Sequence, residues 1–181
     1  HAMSKNGDNL FSTLTIENGG HLPAVQGTQL QLGIRNSISK AMAVGITAGT
    51  NVIVCSNMMF SGDFIQFRKH TSGLDLDELY QLASNAVRLA SEKVGALAMW
   101  QDSLKEIELP DNHMKLLTYD AMQSGALAPS KFSSFIDMYK QEEKLNGPSV
   151  YAWHGAGTRA CRGNSLFTIA DKTPRLNKIA R

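Results

Sequence analysis

The first seventy residues carry apolar positions with a period of two. "LFSTLTI" alternates up to Glu17-Asn18-Gly19-Gly20, a strong turn signal. In "TQLQLGIRNS", Leu30, Leu32 and Ile34 share one face of an extended chain, and Gln29, Gln31 and Arg35 share the other. "AMAVGITAGTNVIVCSN" alternates at Met42, Val44 and Ile46 up to a predicted turn at Ala48-Gly49-Thr50-Asn51. The unbroken run Val52-Ile53-Val54-Cys55 that follows is expected of a strand buried on both faces. "GDFIQFRKH" predicts one more strand, with Ile65 and Phe67 on one face and Gln66, Arg68 and His70 on the other.

After Gly73 the period changes to that of a helix. Leu76, Leu79, Ala83, Val87, Ala90, Val94, Leu97, Trp100 and Leu104 mark one stripe, with Asp75, Asp77 and Glu78 in the first turn, where the helix dipole favours negative charge. Pro110 ends this pattern. Further helices are predicted at about 111–123, 130–145 and 149–162, stopped by Gly125, Asn146-Gly147-Pro148 and Gly163-Asn164. Asp171-Lys172-Thr173-Pro174 reads as a cap with proline in a first turn, opening a short last helix. The expected fold is α+β: an antiparallel β-meander over residues about 10–70, then a long helix and a helical C-terminal half. Residues 4–181 are expected to form a single domain, β-rich over 10–70 and helical over 74–181. His1-Ala2-Met3 reads as a cloning remnant, with Met3 the native start.

Composition narrows the class. A hydrophobic fraction of 43% with 19% charged residues excludes a disordered chain. No apolar run reaches the ~18 residues that span a bilayer, and no signal peptide is visible. Cys55 and Cys161 lie far apart, without metal-ligand spacing, as expected of free thiols in a reducing cytoplasm. The net charge of +2 is unevenly placed. Residues 1–73 sum to +2, 74–147 to −5 and 148–181 to +5. A basic C-terminal segment behind an acidic middle suggests an anionic partner or a self-complementary assembly, so a homo-oligomer stays open.

The polar residues do not assemble a catalytic motif. Cys55, Ser56, Asn57 and His70 offer the parts of a nucleophilic site. Antiparallel neighbours joined by a short loop nevertheless set the end of one strand beside the start of the next, which keeps Cys55 and His70 apart. Cys55 reads as a small core thiol, and Ser56-Asn57 as turn residues. His21, His70, His113 and His154 lack the paired spacing of metal ligands, and no phosphate loop or dinucleotide fingerprint is present. "GAGTRACRGN" reads as a helix whose small residues allow close packing. No catalytic residue, metal or cofactor is expected.

Arg35-Asn36-Ser37, Gly49 ahead of Val54-Cys55-Ser56-Asn57, then Phe60-Ser61-Gly62 and Lys69-His70-Thr71 form a series that resembles the uncharacterised phage/plasmid-like protein family of bacteriophages, prophages and plasmids. Tyr151, Ala156 and Thr158 fit a later helix of that family, whereas His154-Gly155 and Arg159 depart from it. The resemblance spans about residues 27–165 and is specific over 33–73. It implies a phage protein acting in the host bacterial cytoplasm and names no activity.

Two functions are therefore expected, both without enzymatic chemistry. The first is nucleic-acid binding, with single-stranded DNA and phage recombination as the setting. A meander followed by one long helix is also the layout of RecT/Red-beta-type single-strand annealing proteins, an analogy at the level of fold. Its contacts would be Arg35, Arg68, Lys69 and His70 at strand ends and Arg159 and Arg162 in the basic C-terminal segment, where Arg175, Lys178 and Arg181 follow. The second is a protein-binding module that inhibits or redirects a host protein, through the acidic helix face or the basic tail.

Overall fold

The computed structural model describes residues 2–4, 6–15, 28–40, 43–52, 57–60, 66–68 and 75–181, with backbone alone at 2, 28–30, 48–52, 57–60, 66–68, 76 and 90–98. Among these, the alternating part of the chain forms antiparallel strands β1 (Ala2–Met3), β2 (Asn9–Thr15), β3 (Thr28–Ser37), β4 (Val44–Val52), β5 (Asn57–Phe60) and β6 (Gln66–Arg68). They make one sheet in the order β1-β2-β3-β4. The outer edge of β4 is shared, by β5 along Gly49–Val52 and by β6 along Val44–Ile46. Between these two ladders β4 advances three positions, Ile46 to Gly49, while its partner chain advances six, Phe60 to Gln66. Helices α1 (Leu76–Glu106), α2 (Asp111–Gln123), α3 (Phe132–Asn146), α4 (Val150–Ala160) and α5 (Leu166–Ile179) follow, with a 3-10 turn at Pro129–Lys131. The fold is α+β, with a helical C-terminal half. No described helix is long and apolar enough to cross a membrane.

Register explains why the alternation matters. Ser12, Ile34 and Ile46 stand in one row across β2, β3 and β4, and Leu14, Leu32 and Ala48 in the next. Paired positions share a face, so this face is apolar. Leu32, Ile46 and Ala86 form its buried centre, with Ile34, Leu82, Ala83, Val87 and Leu89 packed around it. The helix residues in this cluster repeat at helical spacing on α1. Part of the expected stripe, Ala83 and Val87, is thus packed on the sheet. On the opposite face Gln31, Ser37 and Thr47 are also buried, and Gln31 Nε2 donates to Thr15 Oγ1 at 3.1 Å. There Phe11 meets Phe167 edge-on at 5.7 Å.

Two expectations are corrected. The predicted turn at Ala48-Gly49-Thr50-Asn51 is strand: these residues pair with Leu32, Gln31, Leu30 and Gln29 of β3, and Gly49–Asn51 pair with β5 as well. Ladder bonds on both edges outweigh the local turn preference of Gly-Thr-Asn. Of the apolar run that was to follow, Val52 closes β4, while Ile53, Val54 and Cys55 lie outside the described residues. The second correction concerns α5, which starts at Leu166 rather than near Asp171 and carries Pro174 in its interior. Proline cannot return a hydrogen bond to the Ala170 carbonyl, at a cost of about 3 kcal/mol in an isolated helix. Burial of Ile169, Thr173, Leu176 and Asn177 along the same helix offsets it.

The chain divides into two compact units, His1–Gly95 with Ser165–Phe167, and Ala96–Asn164 with Thr168–Arg181. In the second, the stops fall where the sequence places them. Pro110 precedes α2, Gly125 (φ 74°) follows it, and Gly147 (φ 72°) closes α3. Both glycines adopt the left-handed conformation that a side chain would strain. Ser149 caps α4 by accepting from the Ala152 N–H at 3.2 Å. A short bridge ties the chain after α1 to this cap: Leu109 N–H donates to the Pro148 carbonyl and Val150 N–H to that of Ile107. Helix α4 is the centre of the unit. Trp153 is fully buried against Phe135 and donates through Nε1 to Thr118 Oγ1 at 3.1 Å.

Candidate functional site

Small residues on α4 let α5 come close. A Cβ built on Gly157 would stand 3.1 Å from Leu176 Cδ1, so a side chain here would press the Leu176 methyls aside by a few tenths of an ångström. One turn earlier on α4, His154 faces α5 and its Nε2 lies 2.8 Å from Asn177 Oδ1. With the amide oxygen as acceptor, Nε2 carries the proton of this bond. Burial pushes its pKa below the usual value of 6.5, opposed in part by the bond to Asn177. The ring also meets Trp100 of α1 edge to face, with centroids 5.5 Å apart. Trp100 in turn carries the Arg181 guanidinium over its ring, 6.0 Å from the centroid. Its Nε1–H is buried with no hydrogen-bond partner.

This constellation orders side chains; it does not activate one. His154 is 5% exposed and its partner is an amide rather than a carboxylate, and burial outweighs the upward pull of that bond on its pKa. Cys161, at the end of α4, is buried, and burial pushes its thiol pKa up against the opposing pull of Lys172. Tyr139 is likewise buried, its hydroxyl without a partner and its pKa pushed up to about 12, chiefly by burial. Among the described residues no group of three or more His, Cys, Asp or Glu could hold a metal ion.

Of the residues expected to contact nucleic acid, Arg35 and Arg68 belong to the first unit and Arg159 and Arg162 to the second. Arg35 is half-buried on β3, opposite Phe11 on one side and Gly45 on the other. Position 68 pairs with Val44, one step along β4 from Gly45. Successive strand positions alternate between faces, so positions 35 and 68 belong to opposite faces of the sheet and form no common row. Lys69 and His70 lie outside the described residues, as do Cys55 and Ser56. Arg159 on α4 stands 3.7 Å from the Glu142 carboxylate. Arg162 is exposed just beyond α4.

The better-formed basic feature is α5. Lys172, Arg175 and Lys178 recur every third residue, and Arg181 continues the spacing past the helix end. At 3.6 residues per turn each such step rotates by about 60°, so the row winds around the side of the helix away from Ile169, Thr173, Leu176 and Asn177. Arg175 is braced by Asp171 Oδ1 and the Ser124 carbonyl, each at 2.7 Å. This part of the basic C-terminal segment is therefore a helix with one core face and cations on its other side. The contacts among Trp100, His154, Asn177 and Arg181 carried no sequence signal, because they join residues from separate elements without any fixed spacing.

Comparison with known protein families, characterised proteins and solved structures finds no match.

Proposed function

We propose that this is a non-enzymatic nucleic-acid-binding protein, encoded by a phage and acting in the cytoplasm of its bacterial host. The observation that supports it is the basic face of α5. Lys172, Arg175 and Lys178 are fixed on a helix whose other side is core, and Arg162 lies exposed at the end of α4. Cations held in a row neutralise successive phosphates and release their counterions, which gives affinity without sequence readout. From Lys172 to Lys178 the row rises about 9 Å, the axial length of roughly three phosphates on one duplex strand. Buried, neutral His154 and the masked thiol of Cys161 agree with a binding role rather than a chemical one.

Charge reversal tests the reading. Lys172→Glu/Lys178→Glu removes two cations and spares Arg175, which also braces the α2 end. Binding of labelled oligonucleotides by this variant should weaken for every sequence alike. Undiminished binding would remove α5 from the interface. A second reading, docking of a host protein, draws on Leu116 and Tyr119, which are neighbours at i, i+3 on α2 and are 59% and 53% exposed. Failure of the parent to bind any nucleic acid would favour it.

A further inference from the structure

We infer that Trp100 is a stacking platform for one base of a single strand, with Arg181 closing over it. The inference rests on the reading of α5 as a nucleic-acid face, and it adds the kind of strand that this face takes. The row of cations at every third residue ends at Arg181, and Arg181 is the residue that reaches the indole. Backbone contacts along α5 would thus deliver a strand to an aromatic ring. Cations followed by an aromatic platform are the elements by which proteins hold single strands without reading their sequence, since every base has a flat face.

The spacing suits insertion. Stacked groups sit about 3.5–4 Å apart, so a base between the guanidinium and the indole needs roughly 7 Å or more. The present separation is 6.0 Å from guanidinium carbon to ring centroid. A separation wider by about 1 Å therefore admits a base, and the guanidinium plane then stacks on its outer side. Until a strand arrives, Arg181 occupies the platform. Trp100 is only half-buried. The ring itself is held in place. His154 abuts it at an interplanar angle of 85°, and Asn177 fixes His154. His154 and Asn177 act here as positioning residues.

The test measures affinity for oligodeoxythymidylate and for a mixed-sequence duplex of equal length, in the parent and in Trp100→Leu, Trp100→Phe and Lys172→Glu/Lys178→Glu. Stacking of one base on an aromatic ring corresponds to roughly a 5- to 100-fold change in affinity. Trp100→Leu should lose that much for the single strand and leave the duplex unchanged, and Trp100→Phe should fall between. Tryptophan fluorescence supplies an independent readout that does not need the leucine variant to fold. Single strands should quench the parent but leave Trp100→Phe, which keeps only the buried Trp153, unquenched. Equal single-strand affinity in Trp100→Leu and parent, or equal losses for both polymers, would overturn the platform. If the lysine reversals alone weaken binding, the platform fails and the α5 reading stands. If the parent binds neither polymer, both fail.

Discussion

Acidification should destabilise the helical unit through His154. The unfolded chain presents an ordinary histidine of pKa 6.5, whereas burial keeps the folded imidazole below that value. The folded state therefore binds fewer protons than the unfolded one in this window. Stability is fully present above pH 6.5 and is lost as pH falls below it, toward the folded pKa. The ceiling on the loss between pH 8 and pH 5.5, set by a folded ring that takes up no proton in that range, is about 1.4 kcal/mol, from a limiting slope of about 1.36 kcal/mol per pH unit. His154→Gln is the control, because its amide can still donate to Asn177 Oδ1 and does not titrate. Urea unfolding followed by tryptophan fluorescence suits the question, since both tryptophans, Trp100 and Trp153, belong to this unit. The parent should lose stability from pH 8 to 5.5 by up to this amount more than His154→Gln does. Superimposable pH profiles for the two proteins would refute the assignment of a buried, neutral His154.

Three further outcomes follow from the packing. Thr118→Val leaves the buried Trp153 N–H without its acceptor and should cost about 1–3 kcal/mol in urea unfolding, most of it recovered by Thr118→Ser. Ala86→Asp places a charge at the centre of the sheet–helix core and should give insoluble or unfolded protein on expression, whereas a soluble, cooperatively unfolding variant would show that this face is not core. Cys161 should resist a thiol reagent in the native protein and react once unfolded, as peptide mapping of the alkylated chain would read.

The periodic parts of the fold were legible because periodicity records which side of an element meets the core. Leu32, Ile34 and Ile46 announced the inner face of the sheet, and Pro110, Gly125 and Gly147 announced helix ends through backbone chemistry that acts locally. The misreadings at Ala48–Asn51 and Pro174 share one cause. In each, a local signal was overruled by interactions distant in sequence: two partner strands for β4, and a packed helix face for α5. The candidate site was less legible still. Arg35 and Arg68 looked alike as strand-end cations, yet register sets their positions on opposite faces. His154 looked isolated because Asn177 lies 23 residues away on another helix, and Trp100 looked like one more member of an apolar stripe. The C-terminal charge excess was plain from the sequence; that Lys172, Arg175 and Lys178 wind around one helix required the structure.

Phosphate binding by the basic face of α5 is best measured by a salt titration. Fluorescence anisotropy of a labelled single strand is recorded with the parent and with Lys172→Glu/Lys178→Glu over a series of salt concentrations. Each phosphate neutralised on a single strand contributes about −0.7 to the slope of log K against log salt. With Lys172, Arg175 and Lys178 engaged, the parent slope should be about −2 or steeper, and the double reversal should weaken binding and flatten that slope by about 1.4. A parent that does not bind, or one whose binding and salt slope are unaltered by the reversal, would contradict the account.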